Sequence, residues 1–196
     1  MRASMPLAHQ YLMNIVEEAG GLNEERLVWF YRRYVKAAHI KYAPEISAVL
    51  KQLHYFGKLE KKGRYWCKPW REPDHILLRC LDVMMALADD VLPKFVYKRE
   101  TKTLTFFLPT GDDGGENVFL LYVVTAGQES YVSTLASAQM MPPGHTVLYL
   151  LENSMQLSKL FCNKLFFAVC KGGDDHFEFI AGECPEEAEH KLDGKE

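Results

Sequence analysis

The chain lacks any apolar run that could cross a bilayer. Its longest uncharged apolar stretches, 118–124, 160–162 and 165–170, fall well short of the ~20 residues a spanning helix needs. No Cys-x-x-Cys pair occurs, and the five cysteines (Cys67, Cys80, Cys162, Cys170 and Cys184) are odd in number and widely spaced. That pattern argues against a secreted disulfide framework and for reduced thiols. Cys80, Cys162 and Cys170 lie in apolar runs, where a thiol behaves as a small core residue. The seven histidines are scattered, and no Cys/His set has zinc-ligand spacing. Also missing are the Gly-x-x-x-x-Gly-Lys phosphate loop, the Gly-x-Gly-x-x-Gly dinucleotide turn and the His-Glu-x-x-His pair, together with the chemistries those spacings serve. The opening Met1-Arg2-Ala3-Ser4-Met5-Pro6 carries one charge and no long apolar stretch, and does not read as a signal peptide. A cytoplasmic protein without membrane association, metal or cofactor is the expectation.

What is present is a strong asymmetry of charge. The 196 residues carry a net −3 and are 48% hydrophobic, enough for one packed core or two small ones. From Arg26 to Arg71 there are 12 Lys or Arg against two acids, Glu45 and Glu60, a local charge of +10. The remaining 11 basic and 24 acidic residues give −13. A cationic stretch of that density attracts a polyanion locally, whatever the net charge. The competing account is a basic patch that docks on the acidic half of its own chain.

Residues 9–19 place Tyr11, Leu12, Ile15, Val16 and Ala19 at helical spacing, and Gly20-Gly21 stops that helix. Asn23 is a capping residue for a second helix over 24–37, with Glu24 and Glu25 at its positive end and Leu27, Phe30, Tyr31, Tyr34 and Val35 facing inward. Pro44 marks a third start. Over 44–56 the apolar positions Ile46, Val49, Leu50 and Leu53 make one face, and Ser47, Ala48, Lys51, Gln52 and Tyr55 make the opposite one. Gly57 ends the helix. Residues 57–68 then hold two short strand-like pieces about a Lys62-Gly63 turn, with Lys61, Lys62 and Arg64 at the tip. Leu59, Tyr65 and Trp66 serve as packing anchors, and His54 reads as structural.

The stretch from Pro44 to Trp66, PEISAVLKQLHYFGKLEKKGRYW, resembles the recognition helix and wing of bacterial winged helix-turn-helix proteins. Their repeating theme is a helix ending in apolar-x-x-Gly, then a strand, a basic turn and an aromatic. The resemblance covers the first third of the chain. It implies a DNA-binding module whose third helix lies in the major groove and whose wing sets cations near phosphates. Carried onto this sequence, Ser47, Lys51, Gln52 and Tyr55 become candidate base or backbone contacts. Lys61, Lys62 and Arg64 become phosphate contacts, and Lys58 and Lys68 complete the cationic set. Winged helices also serve as protein–protein modules, so the fold alone does not fix the function.

Residues 68–73 hold two prolines and read as a linker. Asp74 caps a helix over about 75–90 with a broad apolar face. Strands follow at 95–98, 103–108 and 118–125, then a helix at 128–138, a strand at 145–151, a short helix at 154–160, and strands at 165–170 and 177–180. This order resembles the core of restriction-endonuclease-like domains. The pairing of the two domains is similar to the replication-relaxation type proteins of bacterial mobile elements. An active nuclease of that kind needs carboxylates and a lysine on or beside the long hairpin strand. The strand Asn117–Val124 has neither, and the nearby Asp112, Asp113 and Glu116 read as solubilising and turn-forming groups of a Gly-rich loop. Asp174-Asp175-His176 reads as a hairpin turn, and Ser130, Ser133 and Ser137 have no visible base partner.

The expectation is therefore an α+β chain: a winged helix over 1–70, an α/β domain with a mixed sheet over 71–182, and a disordered acidic tail over 183–196. Its partner would be double-stranded DNA, bound by a homodimer or a monomer, without catalysis. It would serve as a transcriptional regulator or as a plasmid or transposon maintenance factor. The alternatives are a module that docks an acidic protein and a divergent metal-dependent nuclease.

Overall fold

Asn23 starts a helix as its side chain predicts: its Oδ1 accepts a hydrogen bond from the Arg26 amide at 3.2 Å, and the helix runs Glu24–Ala37. Around it the computed structural model is a mixed α+β chain, helical on its N-terminal side and built on a mixed sheet on its C-terminal side. The structure describes residues 5–110, 114–138, 145–160, 166–170 and 177–181. The chain divides into two compact units, Met1–Leu78 with Asp89–Leu92, and Arg79–Ala88 with Pro93–Glu196.

The first unit contains α1 (Leu7–Ala19), β1 (Gly21–Asn23), α2 (Glu24–Ala37), α3 (Ile46–Tyr55), β2 (Glu60–Lys62) and β3 (Tyr65–Cys67). Helix α1 packs on both α2 and α3. Leu12, Ile15 and Val16 of α1, Leu27 and Phe30 of α2, and Val49, Leu50 and Leu53 of α3 are all buried. Each such side chain removed from water stabilises the unit by roughly 1.5–3 kcal/mol. Helix α3 begins at Ile46, two residues later than proline placement suggests. Pro44 lies outside it, where its carbonyl accepts from the Tyr31 hydroxyl at 2.7 Å.

The three strands form an antiparallel sheet in the order β1-β3-β2. Strand β1 carries no periodic signal in the sequence, where Gly20-Gly21 reads only as a stop. It forms because Gly21 lets the chain approach β3 closely: a β-carbon there would lie 2.6 Å from Cys67 Sγ. Leu22 of β1 is fully buried opposite Trp66.

In the second unit a six-stranded mixed sheet runs in chain order: β4 (Lys94–Lys98), β5 (Thr103–Thr110), β6 (Gly115–Val124), β7 (His145–Leu151), β8 (Phe166–Cys170) and β9 (Phe177–Ala181). Strands β4, β5 and β6 are antiparallel; β6, β7 and β8 are parallel; β9 returns antiparallel. The parallel steps need crossovers, supplied by α5 (Glu129–Ala138) and by a 3-10 helix (Ser154–Lys159). Tyr122, Val124, Tyr149, Leu151, Phe167 and Val169 alternate onto one sheet face and pack with Val132 and Ala136 of α5 and with Leu160. Helix α4 (His75–Ala88), capped by Asp74 through the Ile76 and Leu77 amides, contributes Arg79–Ala88 to this unit. Its Leu87 lines a cavity of about 380 Å³ with Phe119 and Leu148, residues of the opposite sheet face.

No helix among the described residues is long and apolar enough to cross a membrane.

Candidate nucleic-acid interface

Helix α3 faces two ways. Val49, Leu50 and Leu53 hold it to the core, while Ser47, Ala48, Lys51, Gln52 and Tyr55 are exposed. Ser47, Lys51 and Tyr55 are spaced four apart and form one stripe along the outer side. Gln52 is tethered: its Oε1 lies 2.7 Å from Nε2 of buried His9, which ties the helix to α1.

The C-terminal end of α3 is closed by its own backbone. The Lys58 amide donates to the Leu53 carbonyl (2.8 Å) and the Gly57 amide to the His54 carbonyl (2.9 Å), the two bonds of a Schellman motif. Gly57 has φ 64, the left-handed value that this closure needs and that glycine adopts without a steric penalty. The side chains of Tyr55 and Phe56 project from this fixed end, 85% and 64% exposed, with their rings 5.4 Å apart and nearly perpendicular.

The hairpin β2–β3 follows immediately. Lys62 pairs with Tyr65 across a two-residue turn, Gly63-Arg64, one residue later than the Lys62-Gly63 turn the sequence indicates, and Lys62 belongs to strand β2. His54 joins helix and hairpin: its Nδ1 lies 3.1 Å from the Leu59 carbonyl and its ring meets the Trp66 ring edge-on at 6.0 Å. Lys61 Nζ stands 5.7 Å over that same Trp66 ring. A hairpin cation and the last turn of α3 thus share one aromatic support. Arg64 lies over Tyr65 at 5.1 Å, and its Nε donates to the Tyr65 hydroxyl at 2.9 Å.

Eight of the twelve cations of the basic stretch divide into two groups. Lys62 Nζ is held by Glu72 (2.8 Å) and Glu60 (3.0 Å), carboxylates that keep its ammonium charged above the usual lysine range, and it also donates to the Arg71 carbonyl. Lys68 pairs with Glu17 at 2.8 Å, and that hydrogen bond lowers the Glu17 carboxyl. On α2, Lys36 pairs with Asp90, and Arg33 donates to the Asp89 carbonyl while its guanidinium lies 3.7 Å over Trp29. By contrast, Lys51, Lys58, Lys61 and Arg64 are exposed and join no salt bridge among the described residues. Of the nine residues singled out in the sequence, Lys62, Lys68 and Gln52 are therefore engaged within the fold. Ser47, Lys51, Tyr55, Lys58, Lys61 and Arg64 lie open. Phe56, which was not among them, lies beside Tyr55; its signal was an aromatic directly before the helix-ending glycine.

For the nuclease alternative, Asp112 and Asp113 lie outside the described residues, as do 174–176. Glu116 stands on strand β6 rather than in a loop, opposite Pro109, with its carboxylate 3.0 Å from Lys94 Nζ. Among the described residues no group of three or more His, Cys, Asp or Glu could hold a metal ion. Compared with known proteins, the chain matches no family model, no curated protein and no solved structure.

Proposed function

We propose that the first unit is a winged helix that binds nucleic acid through the outer face of α3 and the β2–β3 hairpin. The element order α1-β1-α2-α3-β2-β3, with the antiparallel sheet β1-β3-β2, supports that reading of the fold. The observation that carries the function is the sorting of the cations. Arg33, Lys36, Lys62 and Lys68 find acceptors within the unit, whereas Lys51, Lys58, Lys61 and Arg64, on or beside α3 and the hairpin, join no salt bridge among the described residues. Unmatched, exposed cations on adjoining elements are what a phosphate backbone rewards, because each contact releases condensed counterions. Lys61 and Arg64 contact phosphates flanking the groove, and Ser47, Lys51 and Tyr55 face the base edges or the backbone. The second unit follows the order α4-β4-β5-β6-α5-β7 and is read as restriction-endonuclease-like in fold, without assigned chemistry, serving dimerisation or regulation. The whole is a DNA-binding regulator or a maintenance factor of a plasmid or transposon.

The test is binding to random-sequence duplex DNA, followed by fluorescence anisotropy at two salt concentrations. Salt-sensitive binding is expected. Lys61→Ala with Arg64→Ala should weaken it about equally on all sequences and flatten the salt slope by ~1–2 units. Absence of binding at low salt, together with salt-sensitive self-association, would instead make the basic unit a protein-docking module.

A further inference from the structure

We infer that Tyr55 and Phe56 form a stacking platform for unpaired bases, so that the preferred ligand is a duplex carrying an adjoining single-stranded segment. The inference rests on the nucleic-acid reading above and narrows its substrate class. Two large rings at the end of one helix are exposed to 85% and 64%, although the unit buries Phe30, Leu22 and Leu53 completely. Such rings, set side by side in water, mark a surface awaiting an apolar partner. Their position is fixed, because the Schellman closure from Leu53 to Lys58 immobilises the backbone that carries them. A platform whose backbone is already ordered loses less freedom on binding.

The chemistry of the partner follows from what surrounds the rings. Lys51 lies one turn before Tyr55 on the same stripe, Lys58 lies two residues after Phe56, and Lys61 sits over Trp66 beside the last turn of α3. None of these ammonium groups joins a salt bridge among the described residues. Aromatic faces alternating with unmatched cations fit a chain in which flat rings alternate with phosphates. An intact duplex presents base edges rather than base faces, and bidentate edge reading belongs to Arg, Asn and Gln rather than to Tyr or Phe. The base faces become available only where strands are unpaired, and there stacking on an aromatic ring is tolerant of sequence. The nearly perpendicular rings offer two planes, so a strand leaving the duplex can stack on one while its backbone meets Lys58.

Three probes decide it: a blunt duplex, the same duplex with a single-stranded thymidine tail, and the tail strand alone, all at one salt concentration. The tailed duplex should bind about tenfold more tightly than the blunt one. Tyr55→Ser with Phe56→Ser should abolish that advantage, bringing tailed and blunt duplex to one affinity, while the salt slope and the melting temperature stay unchanged. Tyr55→Trp should keep the advantage, and its added indole fluorescence should be quenched by the tailed duplex more than by the blunt one. Equal affinity for blunt and tailed duplex overturns the inference and leaves the nucleic-acid reading standing. So does an advantage that survives the double substitution, or loss of self-association as the only effect of that substitution. No binding to any of the three probes removes the underlying reading itself.

Discussion

Helices α3 and α5 are each ten residues long and each buries one side, yet they carry opposite outer faces. Helix α3 turns Lys51, Tyr55 and Ser47 to solvent and reserves its inner side for aliphatic residues. The exposed residues of α5 are the uncharged Ser130, Tyr131, Thr134, Ser137 and Ala138, and its one acid, Glu129, is buried. There Glu129 Oε1 accepts from Gln156 Nε2 at 3.3 Å, and the same Nε2 donates to the Val124 carbonyl at 3.1 Å. Gln156 Oε1 accepts in turn from the Glu152 and Asn153 amides. Polar groups in the second unit are thus used inward, to fasten the end of β6, the end of β7 and the start of α5 together. On the outer face of α3 they are used outward. A helix whose aliphatic stripe suffices for folding leaves its other face open to selection for binding.

The largest effect should come from breaking the inward network. Gln156→Leu leaves two amides, one carbonyl and one carboxylate without the partner they have, in a site where the side chain is 2% exposed. Leaving buried polar groups unsatisfied costs about 1–3 kcal/mol each, and partial relaxation should hold the total near 2–4 kcal/mol. Chemical denaturation should show this loss, while nucleic-acid binding of the remaining folded protein stays intact. A loss below about 1 kcal/mol would mean that water replaces Gln156, and the contrast between the two helices would weaken.

Next in size is a matched pair of charge changes on the two outer faces. Lys51→Glu should weaken duplex binding roughly tenfold or more at low salt, by removing a cation and adding repulsion. Thr134→Glu on α5 should leave it nearly unchanged. Neither position is buried, so neither should shift the melting temperature by much. Equal effects of the two substitutions would show that general charge, and not the α3 face, governs binding.

Much of this contrast is local and was legible in the sequence. Asn23 and Asp74 act as the caps their side chains suggest, α2 spans the residues its periodicity outlines, and the α3 stripe 46, 49, 50, 53 faces inward. What stayed hidden depends on partners distant along the chain. Nothing near Lys68 announces Glu17, fifty-one residues earlier, and nothing near Lys62 distinguishes it from Lys61 except the side of β2 from which each projects. Strand β1 has three residues, too few to show a period, and exists only through its register with β3. Glu129 and Gln156 are ordinary surface residue types, and only the parallel pairing of β6 and β7 brings them together. Pro44 misled by two residues because its carbonyl serves the Tyr31 hydroxyl.

A smaller effect comes from backbone strain in the first unit. Trp70 is 94% exposed at φ 59, third in a turn closed by the Arg71 amide and the Lys68 carbonyl. A type II turn asks for glycine at that position, and any other residue there costs about 1 kcal/mol. Trp70→Gly should therefore stabilise the first unit by up to that amount, seen as a raised denaturation midpoint, offset in part by the freer unfolded chain. A lowered midpoint would mean that the indole makes contacts which its exposure does not suggest.

The smallest effect tests the inward use of charge through pH. The Glu129 carboxyl is held below its ordinary 4.5, first by its own backbone amide and then by Gln156 and Lys159, against the opposing influence of desolvation. A carboxyl whose folded value is depressed binds its proton more readily when unfolded, so it adds stability above the unfolded value. That contribution disappears as the pH falls through the folded value. Glu129→Gln keeps an acceptor for Gln156 but has no proton to take up. Between about pH 6 and pH 3 the wild-type melting temperature should fall more steeply than that of the variant, and the two curves should converge at the acid end. Parallel curves for wild type and Glu129→Gln would show that the buried carboxylate is held by packing alone, and that the second unit makes no use of its charge.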